Sequence, residues 1–326
     1  MAGKKYQSEF TLNLYVQFKY LVPSESIYQL ESELRKHDYH IYFIVATPIW
    51  YFRVGSVSLL KDRFSATIFS DQFGSFIEKK IGVSFNEPSD LDLKTFKIDI
   101  PHPCEYLYLI PPTGESNRTG FQANYLAREF CWRMVSNVDR HKVLYIGQSY
   151  GTDGKRLSID RILSHATYQK ILMEAPTKYP NCKIEVLFLD FAINQTLTID
   201  GLIAQANDVE ENEKHLSNIL SSPVKINEAY NICEATLIYA FQPEYNKDFK
   251  KYRPSKKHKS YQEYYKLDYK NLWLELDLSF YDRPDCILFT DSFTSESPFI
   301  DMVYDLRNNT LYKTAKEFLD CSLKKI

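Results

Sequence analysis

Glycine is scarce in this chain of 326 residues, at 10, so few flexible loops are expected. Long hydrophobic runs are missing as well. The longest apolar stretch, Ile41 to Phe52, is interrupted at Pro48. It falls short of the roughly 20 residues that span a bilayer and reads as one or two buried strands. The start, MAGKKYQSEF, is basic and polar and lacks the apolar segment of a secretory signal. The six cysteines (Cys104, Cys131, Cys182, Cys233, Cys286 and Cys321) include no C-x-x-C pair. That pattern points to reduced thiols in a cytoplasmic protein and away from a disulfide framework. His37-x2-His40 has no further ligands nearby, which argues against zinc. The stretch GQSYGTDG, Gly147 to Gly154, lacks the G-K-[ST] ending of a phosphate-binding loop, because Arg156 follows Lys155. There is also no excess of positive charge. With a formal net charge of −2 and a pI near 6.4, any nucleic-acid partner must be met by a local basic surface.

What is present is the profile of a soluble globular protein: 44% hydrophobic, 25% charged, and 15% aromatic from 25 Tyr and 21 Phe. The length exceeds a usual single domain of roughly 100 to 200 residues, so two domains are the starting expectation.

Alternation of apolar and polar residues predicts strands at 7–20, 40–46, 49–54, 65–69, 95–100, 104–110 and 142–148. Helices are expected at 24–37, 73–81, 122–137 and from Ser158, a candidate N-cap, to Pro176. An apolar strand at 183–191 precedes an acidic insertion at 192–226. A helix at 227–242 follows, with Asn227 as candidate cap and Pro243 as its stop. Strands at 271–279 and 285–290 and a helix at 312–324 complete the chain.

Four features carry candidate chemistry. Tyr145 sits in the strand Val143-Leu144-Tyr145-Ile146-Gly147, where a packed aromatic is the bland alternative. Arg161 and His165 fall four apart, on one face of a helix, close enough to act on one phosphate; a solvated helix face is the alternative. Glu234 lies within the apolar stripe Tyr230, Leu237, Ile238 and Phe241. A carboxylate there is costly unless ion-paired, hydrogen-bonded or bound to a metal. Asn246 follows Pro243 and could simply close a turn. Beyond it, KDFKKYRPSKKHK holds seven Lys or Arg and one acid. Lys250, Lys251, Arg253, Lys256, Lys257 and Lys259 are the candidate nucleic-acid contacts, with Tyr252, Tyr261, Tyr264 and Tyr265 available for stacking; a solvated linker is the alternative.

In this order, Tyr145-Ile146-Gly147, Arg161-x3-His165, Glu234 and Pro243-x2-Asn246 resemble the GIY-YIG nuclease family. The match covers residues 104–250. The resemblance implies an α+β fold: a small antiparallel-sheet nuclease domain with helices, inserted in or flanked by a β-rich mixed module. It implies Tyr145, Arg161, His165 and Glu234 as catalytic residues, Glu234 as ligand to Mg²⁺ or Mn²⁺, and Gly147 and Asn246 as supports. Gly-Ile-Tyr itself is missing about ten residues upstream of the second tripeptide. Tyr108, in Tyr106-Leu107-Tyr108, is therefore the candidate for the first-motif tyrosine. The domains expected are a β-rich recognition module at 1–103, the nuclease domain at 104–250, and a basic linker with a β/α segment at 251–326 packing on the first. The activity implied is metal-dependent cleavage of nucleic-acid phosphodiesters, with DNA as partner, no membrane, and a role in restriction or defence. The alternative is a module that binds nucleic acid or protein without cutting, and oligomerisation is left open.

Overall fold

A computed structural model describes residues 6–85, 92–131, 140–149, 157–199, 209–250, 254, 258–280 and 286–323. In chain order the elements are β1 (Ser8–Pro23), α1 (Glu31–Leu34), β2 (Ile41–Pro48), β3 (Tyr51–Phe52), β4 (Ser58–Leu59), β5 (Arg63–Gln72) and β6 (Ser75–Ser84). Next come β7 (Lys97–Asp99), β8 (Tyr106–Ile110), β9 (Thr119–Gln122), α2 (Ala123–Cys131), β10 (Arg140–Gln148), α3 (Ser158–Leu163), α4 (Ala166–Lys178) and β11 (Cys182–Ile199). The rest are α5 (Val209–Leu220), α6 (Ile226–Phe241), α7 (Gln262–Lys266), β12 (Asn271–Asp277), β13 (Ile287–Phe289), β14 (Phe299–Asp305), β15 (Thr310–Tyr312) and α8 (Ala315–Leu323). The fold is thus mixed α and β, as the patterning predicts.

One eight-stranded sheet runs β13-β10-β2-β11-β1-β12-β14-β15. β2 lies inside it, antiparallel to both β10 and β11. Every residue of β2 is buried, because both sheet faces are covered. Ile41, Phe43 and Val45 join the core that holds Tyr230, Leu237 and Phe241 of α6. Tyr42, Ile44 and Ala46 join the opposite core, with Ile159 and Ile162 of α3 and Tyr168 and Ile171 of α4. Burying each such side chain contributes about 1.5–3 kcal/mol. Across the same strands the Thr47 hydroxyl donates to Glu185 Oε2 at 2.6 Å and meets His141 Nδ1 at 2.8 Å, a fully buried polar link.

The expected boundaries at 103 and 250 do not divide this sheet, which takes strands from all three expected segments. β1 pairs with β11 along nearly its whole length, and the C-terminal β12 continues the sheet beside β1. The β-rich module is instead the segment between β2 and β10. There β3 to β9 and α2 surround their own core of Trp50, Phe64, Ile68, Leu107, Leu109 and Leu126.

Four local expectations change. The segment 73–81 is not helical: β5 turns at Phe73 (φ 56°) and Gly74 (φ 89°) into β6, and the two pair from Arg63↔Ser84 to Gln72↔Ser75. Two successive positive φ values make the tight turn of a hairpin. The expected helix 158–176 is two, α3 and α4, parted at Ser164 and His165, with Pro176 inside the last turn of α4. The helix caps fall one or two residues early, on Leu157 and Lys225 rather than Ser158 and Asn227. Of the expected helix 24–37 only a turn at Ser24–Ser26 and α1 form.

Candidate functional site

Strands β2 and β10 build the floor of the site. Gly147 pairs with Tyr42, Ile146 with Phe43 and Tyr145 with Ile44, after a register shift between Val143 and Tyr145. Tyr42 and Tyr145 therefore sit on the same face, their rings 6.1 Å apart. Gly147 is what lets them do so. A Cβ there would stand 2.6 Å from the Tyr42 ring and hydroxyl and 2.7 Å from the Tyr145 ring.

The opposite wall comes from α3 and α4. The start of α3 is tied to the sheet by the Ser158 amide donating to Tyr39 O at 2.8 Å and by the Ser149 hydroxyl donating to Ser158 Oγ at 3.1 Å. The Leu157 amide donates to Asp160 Oδ2, and Asp160 also binds Arg35 at 2.7 Å. These ties aim Arg161 at the tyrosines. His165 is not one turn further along the same helix, as expected; it caps α4. Its ring still lies 5.1 Å from that of Tyr145 and 6.4 Å from that of Tyr42.

Glu234 arrives from α6. Its Oε1 accepts the Gln148 amide at 3.1 Å, which pins the carboxylate at the end of β10, next to Gly147. The Gln148 side chain donates to Asn231 Oδ1, one turn earlier on α6, at 3.1 Å. Asn246 works from the other side. Its Nδ2 donates to Ile146 O at 2.8 Å, and its Oδ1 accepts the Ile146 amide at 2.9 Å. β13 covers only Arg140 to Lys142 of this edge, so Asn246, with the Tyr245 amide on Leu144 O, replaces the missing strand.

The electrostatics follow from burial. Burial raises the Glu234 carboxyl to about 7, and nearby Arg161 and the Gln148 amide oppose the shift only in part. Burial also raises Tyr42, with Tyr145 adding to it, and raises Tyr145, with Glu234 adding to it; Arg161 opposes both. Burial works against the Arg161 charge, but Tyr42, Tyr145 and Glu234 outweigh it and hold the guanidinium above its ordinary value. Arg161 Nε and the Tyr42 hydroxyl are nevertheless buried without a well-formed hydrogen bond to any described residue. Burial thus holds both phenols above their ordinary value in the free protein.

Among the described residues no three His, Cys, Asp or Glu side chains gather as a metal cage, and no ion pair closes on Glu234. A half-buried carboxylate, anchored through one oxygen and with its other oxygen unbonded to any described residue, fits a divalent ion that keeps most of its ligands as water and phosphate.

The structure brings together Tyr145, Gly147, Arg161, His165, Glu234 and Asn246. Tyr108 is elsewhere: it lies on β8 in the separate sheet β7-β8-β9, where Arg118 rests 4.4 Å from its ring. The tyrosine that stands beside Tyr145 is Tyr42. The sequence signal for that residue was Ile41-Tyr42 at the head of an apolar run, the same Ile-Tyr order as the missing tripeptide. Of the basic run, Lys251, Arg253, Lys256 and Lys257 lie outside the described residues, whereas Lys250 is partly exposed and Lys259 exposed. Tyr261 and Tyr264 are no stacking platform, since both are buried in the main core. Cavities of about 410 and 530 Å³ lie at 292–317 and at 24–25 with 172–184, and none of these site residues lines them. No helix among the described residues is long and apolar enough to cross a membrane.

No family model, no curated protein and no solved structure matches this chain.

Proposed function

We propose that the protein is a metal-dependent endonuclease of the GIY-YIG type, cutting phosphodiester bonds of DNA. One observation carries this reading. Two phenols on adjacent antiparallel strands, the Arg161 guanidinium, the His165 imidazole and the half-buried Glu234 carboxylate come together around Gly147 and Gln148. His40-Ile41-Tyr42 then stands for the first signature tripeptide and Tyr145-Ile146-Gly147 for the second, with the β-rich insertion between them.

Glu234 would hold Mg²⁺ or Mn²⁺, which, when bound, neutralises phosphoryl oxygens and reverses the Glu234 charge felt by Tyr145. Arg161 presents its planar fork to the phosphate and stabilises the charge that develops there. Tyr145 gives up its own proton to solvent once the positive charge around it outweighs burial, and as phenolate it accepts the proton of the attacking water, while the leaving oxygen takes a proton from solvent. Tyr42 stays neutral and donates a hydrogen bond, and His165 orients the Tyr145 side of the pair. Asn246 and Gly147 position the strand that carries Tyr145.

The test is cleavage of a labelled duplex with Mg²⁺ by wild type, Tyr145→Phe, Arg161→Ala and Tyr42→Phe. The reading expects losses on the order of 10²-fold or more in kcat for each, as for removal of acid–base or charge-stabilising groups. Cleavage by Tyr145→Phe at the wild-type rate contradicts the general-base role. Binding without cleavage by the wild type on every substrate contradicts the enzyme.

A further inference from the structure

A cavity of about 290 Å³ is lined by Thr167, Lys170, Lys178, Glu244, Tyr245 and Lys247, with Ala166 at its edge. It begins one residue after His165 on one side and one residue after Asn246 on the other. Lys178 forms its fixed wall. Its ammonium is bonded to Glu174 Oε2 at 2.8 Å, Glu244 Oε1 at 2.7 Å and the Tyr245 hydroxyl at 3.0 Å, which uses all three donors. The same carboxylates accept from Tyr245 and Tyr179, each at 2.7 Å. Lys170 is different: it stands 3.6 Å from Glu174, with an exposed side chain. Lys247 is exposed and forms no ion pair with the described residues. Three lysines face two glutamates, so a positive charge is left over, and it sits on the two amines that are free to move.

We propose that this cavity binds the phosphate next to the one being cut, with Lys170 and Lys247 as its contacts. The inference rests on the nuclease reading and extends it to the path of the substrate strand. A strand whose scissile phosphate meets Arg161 passes the His165–Ala166 corner, and the neighbouring phosphate meets the two ammonium groups. Ammonium groups are point charges without directional forks, so the pair supplies affinity and register rather than sequence choice. Lys247 is also the first cation of the basic run, which gives that run one defined contact beside the catalytic residues.

The experiment compares the wild-type chain with Lys170→Gln/Lys247→Gln, and with Lys80→Gln on β6 as control. Binding of a labelled duplex is followed by fluorescence anisotropy in EDTA across a range of salt, and cleavage is then measured with Mg²⁺. The double variant is expected to fold as the wild type by circular dichroism, because both side chains are exposed. The slope of log K against log salt should become shallower by about 1, as for one phosphate no longer neutralised. KM should rise on the order of tenfold with kcat within about twofold, the mark of lost ground-state binding. Lys80→Gln should match the wild type. If the wild type binds and cuts while the double variant keeps its slope and KM, the cavity is not a phosphate subsite and the nuclease reading stands. If the wild type neither binds nor cuts, both fall.

Discussion

A methyl group at position 147 has nowhere to go, because ring atoms of two tyrosines already occupy the space. Gly147→Ala is therefore expected to displace Tyr42 or Tyr145, to lower stability by about 1–3 kcal/mol as overpacked sites do, and to cut activity with it. Denaturant midpoints and kcat on the same preparation check this. Glu234 makes the opposite trade. Its folded-state value of about 7 lies above the 4.5 of an ordinary glutamate. Its contribution to stability is thus complete below pH 4.5 and is lost as pH rises through 7. At pH 8 the ionised carboxylate costs up to about 3 kcal/mol. Glu234→Gln should abolish metal-dependent cleavage yet raise the unfolding free energy at pH 8, with little change at pH 5. Equal effects at the two pH values would contradict this. The same titration predicts that wild-type cleavage at low Mg²⁺ rises with pH between 6 and 8, and that more Mg²⁺ moves the rise to lower pH. At this scale Glu234 is legible in the sequence because an acid interrupts its apolar stripe, whereas Tyr145 and Asn246 fit their local patterns and are singled out only by the resemblance. Tyr42 is not: an Ile-Tyr pair inside a fully buried strand looks like core until its partner strand is known.

The elements explain why. A strand needs a partner on each side, and β10 has β2 along one edge but only a short stretch of β13 along the other. Asn246 fills the gap with two hydrogen bonds to Ile146, a role that a turn-closing asparagine suggests but cannot specify. Asn246→Ala leaves a buried N–H and C=O without partners, each costing about 1–3 kcal/mol. Faster hydrogen exchange at the Ile146 amide is the measurement. The two tyrosines also separate here. Tyr108→Phe, on β8 in another sheet, should cut as wild type does, whereas Tyr42→Phe should not. Element types came from period-two and helical spacing and held where the pattern was long, as in β1, β10, β11 and α6. The segment 73–81 is a strand rather than the expected helix because Phe73 and Gly74 at its start form the turn of the β5–β6 hairpin. The break at Ser164 and His165 left no sequence mark, since neither residue forbids a helix.

At the scale of the molecule, the β-rich module is inserted between the two strands that carry the site, so the first tyrosine lies in front of it and the second behind it. Sequence distance concealed a contact that the sheet makes adjacent. The long β1–β11 pairing and the enclosure of β2 predict that β2 amides exchange slowest, and that those of β6, which among the described residues pairs with β5 alone, exchange faster. The central claim is that Glu234 and the two tyrosines form one metal-dependent cutting site. It is tested most directly with purified wild type and Glu234→Ala on supercoiled plasmid, linear duplex and single strands, each with Mg²⁺, Mn²⁺ or EDTA. A single site built on Glu234 and the two tyrosines requires cutting by the wild type with a divalent ion, none in EDTA and none by the variant; equal cutting by Glu234→Ala, or no cutting by the wild type on any substrate, rules such a site out.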